Sequence, residues 1–398
     1  MALSRRFRLS VADLRDPTRF PKSDYIEHLY RVMLQREPDP NGLESYVRRE
    51  DTHNFFHEMI NCNEFKETSR DTAYFSGSAN DRRRILLFGA YGNGNLGDAI
   101  QAMSLLRAIR SIRDDVEVWA CSQLPCQFPF PSEYVLPTKK LHKAPVLNQF
   151  DLMIIGGGGL LSHPHDPLTD ESWQKSLDVP VALFGIGAGG PVASKCETLI
   201  KKAVYVSGRD EPSLRALRRF RDDVRFVPDP VLADPYYHSN SADKSKGVPL
   251  SVDKLWILKN TSPARAGRFA QLINLGEDQV CFVEPFLDFP LLEVFPTARA
   301  VYFVDDLISL IDRSATVVSM RFHGCILALL RDKPAVGMFE QKSLDLLTRY
   351  DLGHCFCSDE QSIPGPANFT SPKCKLLADR GIFRAELKEV LSLISAAG

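Results

Sequence analysis

The 398-residue chain has no apolar run long enough to cross a bilayer. Its first residues, MALSRRFRLSVADLRDP, carry charge but no apolar core of the secretory kind. The expectation is a cytoplasmic protein whose membrane contact is at most peripheral. An excess of one charge is missing too: the formal net charge is -1, which gives no electrostatic reason to expect a nucleic-acid partner. The local basic runs, Arg82 to Arg84 and Arg215 to Arg221, read as solvated faces. Nine cysteines are present without one CxxC pair, for Cys355 and Cys357 stand a single residue apart. Reduced thiols in a cytosolic protein are the simplest reading. There is no GK[ST] either, which excludes a Walker loop.

What is present exceeds the size at which one hydrophobic core suffices, so two or three domains are expected. Residues 1–20 read as a flexible lead-in. Residues 21–70 read as a small all-helical module: Tyr25, Ile26, Leu29, Tyr30 and Met33 form a stripe, Pro38 to Gly42 a turn, and Leu43, Tyr46 and Val47 the start of another helix. Residues 71–84 are a polar linker. A first α/β unit spans 85–235, a polar linker 236–251, and a second, smaller α/β unit 252–398, ending in a helix. A cleft between the two units is the favoured place for a ligand.

The first unit repeats one theme. A buried strand, Ile85 to Phe88, runs into GAYGNGNLGDAI and a helix with Ile100, Met103, Leu106 and Ile109 on one face. Gly92, Gly94 and Gly97 satisfy GxGxxG, so backbone N–H groups of the turn, with Asn93 and Asn95, can point at an anion. A dinucleotide is disfavoured: the second strand, VEVWACSQ, ends in Cys121 and Ser122 where the ribose needs an acid, and Asp98 would repel a pyrophosphate while serving well as a cap. The next strand ends in four glycines, Gly156, Gly157, Gly158 and Gly159. Another ends in Gly185, Gly187, Gly189 and Gly190, and another in Arg209 and Asp210. A last strand meets the turn-prone Asp229-Pro230. In a parallel sheet such turns line one rim. The HPHDP segment, with His163, His165 and Asp166, reads as a surface loop rather than a metal site.

The second unit is organised around SMRFHG, Ser319 to Gly324. Leu307, Leu310 and Ile311 recur at helical spacing before it, and Ala315 to Val318 is a β-branched strand. An apolar helix and a further strand follow, broken at Pro334. Arg321 and His323 stand two residues apart, so both face one pocket if the segment is extended. The plainer alternative is an arginine satisfying carbonyls and a histidine buried for structure.

These segments together resemble the polysaccharide pyruvyl transferase family. The residues that carry the likeness are GAYGNGNLGDAI, DLMIIGGGGLL, SGRDEPS, VPDPVLADP, SMRFHG and KPAVGMFEQK, over roughly residues 84 to 352. The resemblance implies two Rossmann-like lobes of the GT-B type with an interlobe cleft. It implies transfer of the pyruvyl group of phosphoenolpyruvate onto two hydroxyls of a sugar or lipid-linked glycan, giving a cyclic ketal and phosphate, with no cofactor and no metal. The family's arginine matches Arg209, its histidine His323, and its basic residue after the next strand Lys342. Where the family shows a strand ending in arginine, this chain has LWILKN, with Lys259 and Asn260 in its place. The helical module resembles a short bacterial module of unknown function found beside polysaccharide-related proteins, and reads as a docking unit for another glycan-assembly protein. Two rival readings stand: a nucleotide-sugar glycosyltransferase on the same two-lobed frame, and a non-catalytic docking protein.

Overall fold

The computed structural model describes residues 39–48, 83–92, 94–122, 135–137, 144–164, 167–238, 252–359, 363 and 369–394. The lead-in, most of the helical module, most of the 71–84 linker, Asn93, His165, Asp166 and most of the 236–251 linker lie outside the described residues. What is described of the module is one helix, α1 (Pro40–Val47), capped by Asp39, whose carboxylate accepts the Gly42 N–H at 2.7 Å. Of the turn expected at Pro38 to Gly42, Asp39 to Gly42 are described and form the cap and first turn of this helix: proline at N1 loses no hydrogen bond, and Asp39 caps it.

The first sheet has seven parallel strands in the order β3-β2-β1-β4-β5-β6-β7. They are β1 (Arg83–Phe88), β2 (Val116–Ser122), β3 (Val135–Pro137), β4 (Leu152–Gly156), β5 (Val181–Ile186), β6 (Tyr205–Gly208) and β7 (Arg225–Phe226). The apolar residues of β1, β2, β4, β5 and β6 are buried on both faces, which is why these strands read as unbroken apolar runs rather than alternating ones. Strand β1 starts two residues before its apolar run because Asp151 accepts the Arg84 N–H at 2.7 Å and pairs with Arg83 at 2.9 Å.

The second sheet has six parallel strands in the order β10-β9-β8-β11-β12-β13. These are β8 (Val252–Ile257), β9 (Gln279–Phe282), β10 (Arg299–Ala300), β11 (Ser314–Ser319), β12 (Ala335–Met338) and β13 (Phe356–Cys357). Each sheet reverses its winding once, between β1 and β4 and between β8 and β11, and an open α/β sheet binds ligands outside the strand ends at such a point. Phe88 lies opposite Ile155 and Ser319 opposite Ile257, so the glycine turns at 89–97 and 156–159 share one switch point, and SMRFHG lies at the other.

Five further helices position the site and join the lobes: α2 (Leu96–Ile112), α3 (Pro230–Ala233), α4 (Phe322–Leu330), α5 (Gln341–Arg349) and α6 (Lys373–Ser392). The last begins on the second unit, where Leu376 joins the core and Asp379 takes Arg349 and Tyr350, and then crosses to the first. Its Phe383, Leu387, Val390 and Leu391 pack in one cluster with Ile85, Leu87, Ala102 and Phe184 of the first lobe. Apolar contact continues across the lobes elsewhere. Leu96, Ile100, Val231 and Leu232 of the first, with Tyr237 just after it, share a core with Leu255, Ile257, Val317 and Ile326 of the second. The architecture is two Rossmann-like lobes of the GT-B type. Among the described residues no helix is long and apolar enough to cross a membrane.

Candidate active site

Asp229 is where the two lobes' polar residues meet. It follows β7, and its Oδ1 accepts the Val231 N–H at 3.0 Å, capping α3. Its Oδ2 accepts a hydrogen bond from Gln101 Nε2 on α2 and lies 3.7 Å from Arg209 Nη1 and 3.5 Å from His323 Nε2. The carboxylate is 2% exposed and the Arg209 side chain 7%. Burial alone would raise the Asp229 carboxyl, but His323 and Arg209 outweigh it and hold the group below the usual carboxylate range. Arg209 leaves its buried Nε without a hydrogen-bond partner, although Asp210 Oδ2 stands 3.7 Å away. Asp210 itself accepts the Ser213 N–H at 2.9 Å and starts the following helix.

The glycine turns close around this group. Arg209 packs on Gly187, where an added β-carbon would meet Nη2 at 3.1 Å and the Gly158 carbonyl at 2.8 Å. Gly157 and Gly158 both sit at φ 74°, a conformation that side chains rarely tolerate. A β-carbon on Gly157 would meet Gln101 Oε1 at 2.9 Å, one on Gly158 would lie 3.7 Å from Asp98 Oδ1, and one on Gly156 would strike the Phe184 carbonyl at 2.3 Å. Gly159 packs toward Ser162. Across the turn after β1, Gly92 and Gly94 also take left-handed backbone. Asn95 caps α2 by accepting the Gly97 N–H at 2.8 Å.

SMRFHG is not extended through His323. Arg321 is the N-cap of α4 and His323 lies in its first turn, so the two side chains part instead of facing one pocket. His323 turns toward Asp229 and Gly97. Arg321 is gripped by two carboxylates, Nη1 by Glu284 and Nη2 by Asp288, both at 2.5 Å. Glu284 also accepts from Asn95 Nδ2 at 3.4 Å, and the Leu96 N–H donates to the Val283 carbonyl at 3.0 Å. This stitches the start of α2 to the second lobe. Burial raises the Glu284 carboxyl, with Arg321 opposing and Asp288 and Asp98 adding to the rise.

Lys342 is joined to the group through Phe322. Its Nζ lies 5.7 Å from the ring centroid, and the Arg209 guanidinium carbon 5.2 Å from the same ring. Lys342 pairs with Glu340 at 2.9 Å, and the other Glu340 oxygen takes Lys259 at 3.2 Å. Burial would raise the Glu340 carboxyl, but the two lysines hold it low. The Lys342 side chain is 42% exposed and that of Lys259 46%, so both lysines are open to a soluble anion, whereas Arg209 is enclosed.

The sequence thus pointed to Gly97, Asp98, Gly158, Gly187, Arg209 and His323, which the fold gathers about one carboxylate. Lys342 and Lys259 are a step further out, and Arg321 is committed to internal ion pairs. Asp229, Gln101, Phe322 and Glu340 escaped notice. Gln101 lies one helical turn beyond Gly97 and Asp98 and shares their face, which was the available signal.

No curated protein matches the chain. Among solved structures it is similar to the UDP complex of MnaA from S. aureus, at 12% identity, covering 79% of this chain and 92% of that one, with a TM-score of 0.47. It is similar to UDP-GlcNAc 2-epimerase from Methanocaldococcus jannaschii at 12% identity, covering 76% and 92%, TM-score 0.46. The glycosyltransferase SnogD from Streptomyces nogalater matches at 14% identity, covering 80% and 100%, TM-score 0.41. Likeness at these scores decides no function. A family model described as polysaccharide pyruvyl transferase matches residues 95–338, a stretch that holds Gly97, Arg209, Asp229 and His323 and ends just short of Lys342. That match spans more than half of the chain, which therefore belongs to the polysaccharide pyruvyl transferase family.

Proposed function

We propose that the chain transfers the pyruvyl group of phosphoenolpyruvate onto two hydroxyls of a sugar in a polysaccharide or glycan precursor, forming a cyclic ketal and releasing phosphate. The observation that carries the reading is the convergence of His323 from one lobe and Arg209 from the other on Asp229, with Lys342 beyond Phe322. Phosphoenolpyruvate bears a carboxylate and a phosphate and needs at least two fixed cations. Arg209, with a free buried N–H, suits a bidentate grip on a planar anion, and Lys342 acts as a mobile point charge. The glycine turns offer backbone N–H groups beside them.

The balance is two additions to one carbon. A proton reaches the methylene, the first sugar oxygen bonds to the adjacent carbon as its own proton leaves, and a ketal phosphate results. The second hydroxyl then bonds to the same carbon, loses its proton, and phosphate departs with the C–O bond's electrons. His323 is the group placed to give and take these protons. No cofactor enters the balance. A cytoplasmic setting and a sugar or lipid-linked acceptor belong to the same proposal.

The test is incubation of the purified protein with phosphoenolpyruvate and sugar acceptors, measuring released phosphate and the new ketal methyl signal by proton NMR. Phosphoenolpyruvate is expected to raise Tm. Absence of both effects, together with turnover of a nucleotide sugar, would replace this reading by that of a glycosyltransferase.

A further inference from the structure

We propose that Asp229 is a positioning residue: it holds the proton of His323 on Nε2 and so leaves Nδ1, which faces Gly97, as the atom that exchanges protons with substrate. The second half of this statement rests on His323 being the acid–base group; the first half does not.

The geometry makes the assignment. An ionised carboxylate accepts hydrogen bonds and donates none. Asp229 has around it the Val231 N–H at Oδ1, and Gln101 Nε2, Arg209 Nη1 and His323 Nε2 at Oδ2. A neutral imidazole facing such a group keeps its N–H toward it, so the lone pair sits on the other nitrogen. Nε2 is buried without a hydrogen-bond partner and lies 3.5 Å from Oδ2, so a movement of about 0.5 Å that also aligns its N–H makes the hydrogen bond. Such bonds tighten when substrate is bound. The opposite nitrogen, Nδ1, packs against the first turn of α2, where the position of a Gly97 β-carbon would be 2.2 Å from it. Only a residue without a side chain at this position admits the imidazole. The start of this 17-residue helix also favours a negative group beside the working nitrogen.

The surroundings of Asp229 fix what an amide would do there. In Asp229→Asn the amide oxygen must take the Oδ1 position, because the Val231 N–H is a backbone donor that cannot turn away. The NH2 group is then left at the Oδ2 position, facing His323 Nε2. Gln101 accommodates the exchange by rotating its amide, since its Oε1 has no hydrogen-bond partner. His323 is forced to accept at Nε2 and to carry its proton on Nδ1. This is the wrong tautomer for the proposed task, as when the acidic member of a serine-protease triad becomes an amide.

Histidine-selective 15N NMR on the full-length protein at pH 8 tests this, with His323 assigned by the signal lost in His323→Asn. Wild type is expected to show His323 as the Nε2–H tautomer, and Asp229→Asn as the Nδ1–H tautomer in a protein that is still folded, at a lower Tm because the stabilising charge of Asp229 is gone. In the transferase assay Asp229→Asn is expected to lower kcat by about a hundredfold or more, within the range for acid–base groups, with KM changed less than about threefold. A wild-type His323 protonated on Nδ1, or still doubly protonated at pH 8, overturns the proposal without any variant. A folded Asp229→Asn protein whose tautomer is unchanged overturns it as well. If the tautomers behave as expected but no pyruvyl transfer occurs in wild type, Asp229 keeps its positioning role and the proposed function fails.

Discussion

A β-carbon on Gly97 would stand 2.2 Å from Nδ1 of His323, a residue of the other lobe. Gly97 lies inside α2, where alanine is intrinsically favoured over glycine by about 1 kcal/mol. Gly97→Ala is therefore expected to leave the helix and Tm nearly unchanged while pushing the imidazole off Asp229. Transfer should fall by about a hundredfold, read as kcat against phosphoenolpyruvate, in keeping with loss of an acid–base group. Equal loss of Tm and kcat would count against it.

Arg209 and Lys342 face the same phenyl ring, but the structure treats them differently: one is enclosed, the other open. Arg209→Lys keeps the charge and loses the fork. Hydrogen bonds to charged groups contribute about 1.5–3 kcal/mol, so kcat/KM should drop about tenfold to a hundredfold. The upward shift in Tm on adding phosphoenolpyruvate should shrink or vanish in the same variant, measured by differential scanning fluorimetry.

The carboxyls of Asp229 and Glu340 are both held below their usual values of 3.8 and 4.5. Each therefore favours the folded state at pH values above the usual one. That contribution is lost as pH falls from the usual value through the lowered one. Asp229→Asn should weaken the fall in stability below pH 4 relative to wild type, as monitored by acid titration of the far-ultraviolet circular dichroism. A steeper fall in the variant would show the sign to be wrong.

Leu232 belongs to the first lobe but is buried, 2% exposed, in the core of the second. Leu232→Ala is expected to cost about 2–5 kcal/mol. Because the cluster belongs to both lobes, calorimetry should show one cooperative transition moved to lower temperature. Two resolved transitions, with only one displaced, would mean that the lobes are energetically separate.

Much of the frame was legible because a parallel sheet covered on both faces writes itself as apolar runs ending in turns. Each glycine turn therefore announced its own place on the rim. What stayed hidden depends on distant partners. Arg321 and His323 look alike two residues apart, and what separates them is the helix start at Phe322 and the carboxylates of Glu284 and Asp288, more than thirty residues away in sequence. Asp229 was masked by its own local chemistry: an aspartate before a proline is sufficiently explained as a turn, and it does cap α3. Only the approach of Gln101, Arg209 and His323 reveals its second task. The fate of α6 was equally unreadable, since its pattern fits packing on either lobe.

The return of α6 to the first lobe has a consequence for how the molecule is made. Phe383, Leu387, Val390 and Leu391 finish a core begun by Ile85 and Leu87 some three hundred residues earlier in synthesis. The amino-terminal sheet leaves the ribosome with one face covered by α2 but open along the side that α6 fills, and waits for the other lobe to be translated before it is sealed. Maturation of the earlier lobe is thereby tied to completion of the later one, and a nascent chain arrested before α6 would present sticky apolar surface to the cell's chaperones.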